Sequence, residues 1–370
     1  MSEAEPQEAL VPVRAAAPLS PLRARGHYST VHLPDQWFIL ATSRELRGKP
    51  LARTLMGTPL VLFRDAAGRA ATLLDRCPHR NVPLSMGRVA EDGCLECPYH
   101  GWRFDAEGTC TRVPSLIGAV GDARARQAAS YPTIEQQGFV WAYSTAGELP
   151  ESRPHRFAAM GERGYQTVVQ QIDMAATMYS VVENALDVPH TAFLHKGLFR
   201  GDSRGITITA RVVRTADRVE AEYVGEPRPT GLMARLLSPS GGMVTHFDRF
   251  LLPSIAQVEY RLGSENHLLA DTAMTPIDDF HTRLYGVVSF RTRFLSWLVR
   301  PFVKPVGMRV LKQDALMLAR QTDTIRAFGG EQFASTEIDV IGKHVWRLLR
   351  AAERRDRSAP DEVSEVQLVV

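Results

Sequence analysis

The chain has 370 residues, 44% apolar and 23% charged, which excludes a disordered protein and leaves room for two domains. Its 44 basic and 41 acidic residues leave a formal charge of +3, too balanced to attract nucleic acid in bulk. No uncharged apolar run reaches the roughly 18 residues a bilayer span needs, and Arg14 and Pro18 break the one weakly apolar stretch near the start. Four cysteines are too few for a disulfide scaffold, so a cytoplasmic globular protein is expected.

In chain order, residues 1–25 are rich in Ala, Pro and Glu and read as a flexible tail. Short β-rich runs follow between Trp37 and Tyr143, among them Pro59-Leu-Val-Leu-Phe63 and Gly138-Phe-Val-Trp-Ala-Tyr143, closely punctuated by Gly, Asp and Asn. That texture predicts a small antiparallel β domain over 26–150, ending at the linker Pro150-Glu-Ser-Arg-Pro154. A second domain, 151–353, is predicted to be α+β. Val168–Met174, Gly205–Val224, Ile255–Leu262 and Arg283–Phe290 alternate like strands, while Met178–His195 and Val310–Phe328 carry helical spacing. Residues 354–370 read as a C-terminal tail in which Val366–Val370 could dock as a strand. The apolar, cation-studded stretch Arg291–Leu311 is interrupted by Pro301 and Pro305, which argues against a continuous amphipathic helix. Internal packing or a subunit contact is expected there, and membrane contact is not.

The densest chemistry is Cys77-Pro-His79 followed, after 17 residues, by Cys97-Pro-Tyr-His100. Two thiolates on one iron and two imidazoles on the other form the ligand set of a Rieske [2Fe–2S] centre, whose neutral imidazoles raise its reduction potential. Pro78 and Pro98 stiffen these loops and Gly101 permits close approach. The rival arrangement is a structural zinc site drawing on Cys77, Cys94, Cys97 and Cys110. It strands His79 and His100; otherwise Cys94 and Cys110 are small buried hydrophobes.

Cys77-Pro-His-Arg80, Pro83-Leu-Ser-Met-Gly87 and Cys97-Pro-Tyr-His-Gly-Trp-Arg-Phe-Asp105 resemble the Rieske domain of the Rieske non-haem iron oxygenases, as does the approach Trp37–Leu46. Farther on stands Asn184-Ala-Leu-Asp187-Val-Pro-His190-Thr-Ala-Phe-Leu-His195. Two histidines and a carboxylate suffice for an O₂-activating ferrous iron. On one ideal helix, however, His190 and His195 project roughly 140° apart, so spacing alone is a weak signal. A break near Pro189 or a distorted helix would have to bring them together.

The segment is similar to the catalytic motif of the same family. The resemblance implies His190 and His195 as iron ligands, Asp187 as the acidic bridge to a Rieske histidine of a neighbouring subunit, and Asn184 near the iron in the substrate pocket. Gln313-Asp314-Ala-Leu-Met-Leu-Ala-Arg-Gln321 resembles the family's late helix and implies Asp314 as the third ligand. Gln313 stands where many members are acidic, and Asp323 is the runner-up. Asp278 and Asp279 read as turn residues, and His246 as a structural histidine rather than a further ligand.

The resemblance further implies an N-terminal Rieske β domain followed by a catalytic domain whose curved antiparallel sheet is covered by helices. The implied activity is that of a homotrimeric oxygenase component holding a [2Fe–2S] cluster and a mononuclear Fe(II). It would use O₂, and electrons from NAD(P)H through a separate reductase with or without a ferredoxin, to hydroxylate or demethylate a small organic substrate. No flavin or nicotinamide motif is present. Dihydroxylation, desaturation and oxidative cyclisation would use the same iron. A non-catalytic electron carrier would have no use for His190, His195 and Asp314, and a zinc-stabilised binding protein would be colourless.

Overall fold

The computed structural model describes residues 27–118, 120–121, 124–147, 150–195, 207–226, 244–263, 266–292, 296–356, 358 and 360–369. The tail expected over 1–25 lies outside the described residues.

Three small antiparallel sheets occupy the N-terminal part. One joins Trp37–Thr42, Phe139–Tyr143 and Thr133–Gln136. Another joins Leu51–Leu55, Thr58–Arg64, Ala70–Leu74 and Ser130–Tyr131. The third joins the short strands Arg88–Val89, Leu95–Glu96, Arg103–Phe104 and Cys110–Arg112. Strand alternation explains how they share two cores. Within Thr58–Arg64, Leu60 and Leu62 point into the main core, while Val61 and Phe63 point into a separate cluster with Cys77, Leu84, Leu95, Cys97 and Phe104. Both candidate cysteines are thus anchored in apolar packing on the far side of one strand.

The C-terminal part is an eight-stranded antiparallel sheet ordered Gln166–Met174, His281–Arg291, Asn266–Asp278, Ile255–Leu262, Val244–Leu251, Arg218–Val224, Thr207–Arg214 and Glu362–Val369. Among the described residues it is accompanied by α1 (Met178–Ala185), α2 (Thr191–Leu194), α3 (Ser296–Ala327) and α4 (Gly342–Glu353). One face of the sheet, including Ile208, Ala210, Val212, Val219, Ala221 and Phe250, packs against Val181, Val182, Leu318, Val345 and Leu349 of α1, α3 and α4. Phe38, Leu40, Leu60 and Leu62 enter the same core, so the two parts are welded together. The Thr275 hydroxyl adds a hydrogen bond to the Ile39 carbonyl (2.6 Å).

Two expectations change. The segment read as a C-terminal tail carries the edge strand Glu362–Val369, paired along its length with Thr207–Arg214 and holding Leu368 buried. The Arg214 guanidinium also reaches Glu362 (3.1 Å). Helix α3 runs unbroken through Pro301 and Pro305. Both prolines are exposed, so their rings meet solvent, and the packing of Val299 and Val303 holds this part of the helix against the sheet.

Candidate functional site

The two cysteine loops are built alike. In each, the amide four residues after the cysteine donates to the cysteine carbonyl: Asn81 to Cys77 at 2.8 Å, Gly101 to Cys97 at 3.1 Å. The cysteine amide in turn donates to the carbonyl five residues on, Val82 (2.9 Å) or Trp102 (2.8 Å). This tight closure needs a left-handed residue in fourth place, and Asn81 (φ 61°) and Gly101 (φ 67°) supply it. The cysteines are buried at the base of the loops, while His100 and Tyr99 are exposed at the tip. The His79 and His100 ring centroids lie 4.5 Å apart, and His79 stacks on Trp102 at 4.7 Å with an interplanar angle of 3°. Burial, reinforced by the neighbouring Cys97, pushes the Cys77 thiol up to about 11.

These donors fit a [2Fe–2S] cluster. His79 Nδ1 is buried without a hydrogen-bond partner, as a nitrogen reserved for a metal would be. Among the described residues the four thiols do not converge within reach of a single ion, which removes the zinc arrangement. Cys94 and Cys110 are buried free thiols, as small hydrophobes would be.

The second constellation depends on a break in the chain. Helix α1 starts at its cap Thr177, whose hydroxyl accepts from the Ser180 amide (3.1 Å), and ends at Ala185. The single-turn α2 begins after Pro189, with His190 immediately before it and His195 immediately after. This arrangement overcomes the unfavourable five-residue spacing: the two Nε2 atoms lie 3.3 Å apart. Asp314, buried on α3, places Oδ1 3.0 Å from His195 Nε2 and 3.7 Å from His190 Nε2. Asp314 Oδ1 itself has no well-aligned hydrogen bond, and the three buried or half-buried groups turn their ligand atoms to one point, all within 4.8 Å of one another. Such a set fits a divalent transition metal such as iron.

Supporting contacts fix both rings. His190 Nδ1 donates to the Asp187 carbonyl (2.6 Å), and the Asp187 carboxylate stands 3.4 Å from the same nitrogen while accepting from the His190 amide (3.3 Å). The backbone oxygen of Asp187 is therefore the nearer partner of the ring. His195 Nδ1 donates to the Gln313 amide oxygen (3.0 Å). Burial opposes charge on His195, but Asp314 and Gln313 together raise its pKa.

Gln313 and Glu183 are site residues that sequence reasoning did not assign a role. The clue to Gln313 was its place beside Asp314; nothing in the sequence marked Glu183. The Glu183 carboxyl is pushed up by burial, aided by Asp339, Asp187 and Glu331, and it accepts from Tyr179 Oη (3.1 Å). Asn184, Glu183 and Asp187 line a cavity of about 980 Å³ with Leu318 and Gln321 of α3. The cavity runs alongside the three donors, touching Pro189 and Leu318 rather than the donors themselves.

The other candidates fall away. Asp323 is exposed and 3.7 Å from Arg320, Asp278 accepts from the Phe280 amide at a turn, and Asp279 pairs with His32. His246 is buried, bonded to Glu226 and to Asp248 (2.9 Å), and stacked between Tyr223 and Tyr260. Burial opposes its charge, yet the two carboxylates push its pKa up to about 9, and both ring nitrogens are occupied.

Residues 36–129 match the family model of the Rieske [2Fe–2S] domain, and residues 174–355 match that of the vanillate O-demethylase oxygenase C-terminal domain. The chain belongs to the Rieske non-haem iron oxygenases. This oxygenase is 28% identical over 296 residues to the dicamba O-demethylase oxygenase component of Stenotrophomonas maltophilia, covering 78% of this chain and 74% of that one. It is 31% identical over 256 residues to the 3-chlorobenzoate-3,4-dioxygenase oxygenase subunit of Comamonas testosteroni, covering 68% of this chain but only 57% of that subunit. The crystal structure of dicamba monooxygenase bound to dicamba superposes with a TM-score of 0.73 at 25% identity, covering 88% of the oxygenase and 99% of that chain. The family's cofactors are a [2Fe–2S] cluster and a mononuclear non-haem iron.

Proposed function

We propose that the oxygenase inserts one oxygen atom from O₂ into a small organic substrate, by hydroxylation or demethylation. It would act as a homotrimer in the cytoplasm and draw electrons from an NAD(P)H-dependent reductase, directly or through a ferredoxin. The observation that carries this reading is the convergence of His190, His195 and Asp314 in the same chain as a second, cluster-type donor set. When bound, the cluster would supply single electrons, and the iron a centre with open positions for O₂.

The protein's own groups do the positioning. Cys77 and Cys97 would hold one end of the cluster in apolar packing, and His79 and His100 the exposed end through which electrons leave. Donation from both Nδ1 atoms, to the Asp187 carbonyl and to Gln313, fixes the tautomers that turn both Nε2 lone pairs toward Asp314. Asp187 would then accept from His100 of a neighbouring subunit. Charge supports that docking: Asp187 and Asp339, with Glu183, outnumber Arg320 on the cavity wall, and the cluster loops carry the exposed Arg80.

Dihydroxylation is the second reading, because the chlorobenzoate relative is a dioxygenase and needs no different donors. The test is a substrate panel with a surrogate reductase, scored for O₂ uptake and for one or two oxygen atoms per product. A hydroxylated product carrying a single ¹⁸O from ¹⁸O₂, or an unlabelled demethylated product with one formaldehyde released per turnover, is expected. A cis-diol carrying both atoms would favour the second reading, and reduced cluster that reoxidises without any product would reject both.

A further inference from the structure

The first turns of α3 present an apolar surface that the core does not use. Val299 and Val303 face inward and pack with Val168, Phe290, Leu268 and Val288. On other faces of the same turns, Trp297, Leu298 and Phe302 are 58%, 52% and 61% exposed. Leu298 and Phe302 are one turn apart, so their side chains adjoin, and Trp297 lies about 100° round the helix from Leu298, also turned to solvent. Contiguous exposed apolar side chains of this size mark an interaction site rather than ordinary surface.

The charge around them is one-sided. Between Arg291 and Gln313 the sequence holds six cations and no carboxylate. Arg300, Lys304 and Arg309 are exposed, and no carboxylate among the described residues pairs with them. A helix carrying aromatic and aliphatic side chains beside unpaired cations has the composition of one that lies in a lipid–water interface.

We propose that the N-terminal half of α3 docks on an anionic lipid surface, with Trp297, Leu298 and Phe302 entering the boundary between headgroups and acyl chains and Arg300 and Lys304 meeting lipid phosphates. A second copy of the chain fits less well. Two such patches would repel, and the tip of the cluster loops is itself marked by Arg80. The acidic cavity suited to that tip begins at Met317, roughly 22 to 30 Å farther along α3. No helix among the described residues is long and apolar enough to cross a membrane, so the contact is peripheral. Because α3 is continuous, Phe302 and Asp314 are separated by roughly 18 Å along one rigid axis. Docking would hold the site near lipid-dissolved, apolar substrates. This consequence rests on the oxygenase reading; the docking itself does not.

The test is sedimentation of the full-length, metal-loaded protein with vesicles of phosphatidylcholine alone or with about 30 mol% phosphatidylglycerol. Binding to the anionic vesicles is expected, at least about tenfold weaker on pure phosphatidylcholine and in high salt. Trp297→Ser/Phe302→Ser and, separately, Arg300→Glu/Lys304→Glu should each lose about tenfold while cluster absorbance and oligomeric mass stay unchanged. The charge-reversed variant alters only exposed side chains and keeps the test decisive should the first variant fold poorly. Absence of anionic-vesicle binding, or undiminished binding in the charge-reversed variant, overturns the proposal. A lower oligomeric mass in either variant, with no vesicle binding by the wild type, also overturns it and assigns the face to a subunit contact.

Discussion

In the cluster domain each Cys–His pair is set by a loop that closes on itself within six residues, through backbone hydrogen bonds and one left-handed residue. At the second site the donors come from a break between two helices and from a third helix more than a hundred residues later, and only tertiary packing brings them together. The contrast separates geometry written locally from geometry assembled. A self-closed loop should tolerate changes elsewhere, while an assembled site depends on the groups that orient its rings. Asp187 and Gln313 hold those positions.

The sharpest way to press this contrast is Asp187→Asn, which keeps the shape and the backbone carbonyl bonded to His190 but removes the charge. Turnover should fall by roughly two orders of magnitude or more, with cluster colour and iron content retained. Near wild-type turnover with both metal sites filled would mean that Asp187 merely caps the turn before α2. At the self-closed site, His100→Cys exchanges a neutral donor for an anionic one. Redox titration should find a potential lowered on the order of a few hundred millivolts, with iron binding at the assembled site unchanged. An unchanged potential in a variant that still holds a cluster would remove His100 from the ligand set.

A smaller effect is expected at Gln313. Gln313→Ala frees His195 Nδ1, and iron affinity measured by competition with a chelator should weaken roughly tenfold, while Gln313→Glu restores most of it. Equal affinities in all three proteins would reduce the 3.0 Å contact to incidental packing. The smallest effect tests the scaffold alone. Thr177→Ala removes the cap of α1 and should cost about 1 kcal/mol in denaturant unfolding, leaving the cluster potential where it was.

The same division explains what the sequence could disclose. The cluster loops were legible because Cys77–His79 and Cys97–His100 carry their spacing and their turn residues within single short segments. Strands such as Ile255–Leu262 were legible from alternation, and Asp314 only by resemblance. Periodicity argued against His190 and His195, since it assumes one helix where the chain uses a break at Pro189. Pro301 and Pro305 suggested an interruption that packing by Val299 and Val303 prevents. The edge strand Glu362–Val369 depends on a partner at Thr207–Arg214 that is distant in sequence, so its own residues suggested a strand only over Val366–Val370, within a tail. The bond from His195 to Gln313 joins two helices and leaves no local trace.

Metal stoichiometry tests the central claim, that one chain holds two different iron sites, most directly. Purified wild-type protein should contain about three irons and about two acid-labile sulfides per chain, and Asp314→Ala about two of each with the cluster absorbance intact. Zinc in place of iron, or an Asp314→Ala protein that keeps its third iron, would contradict it.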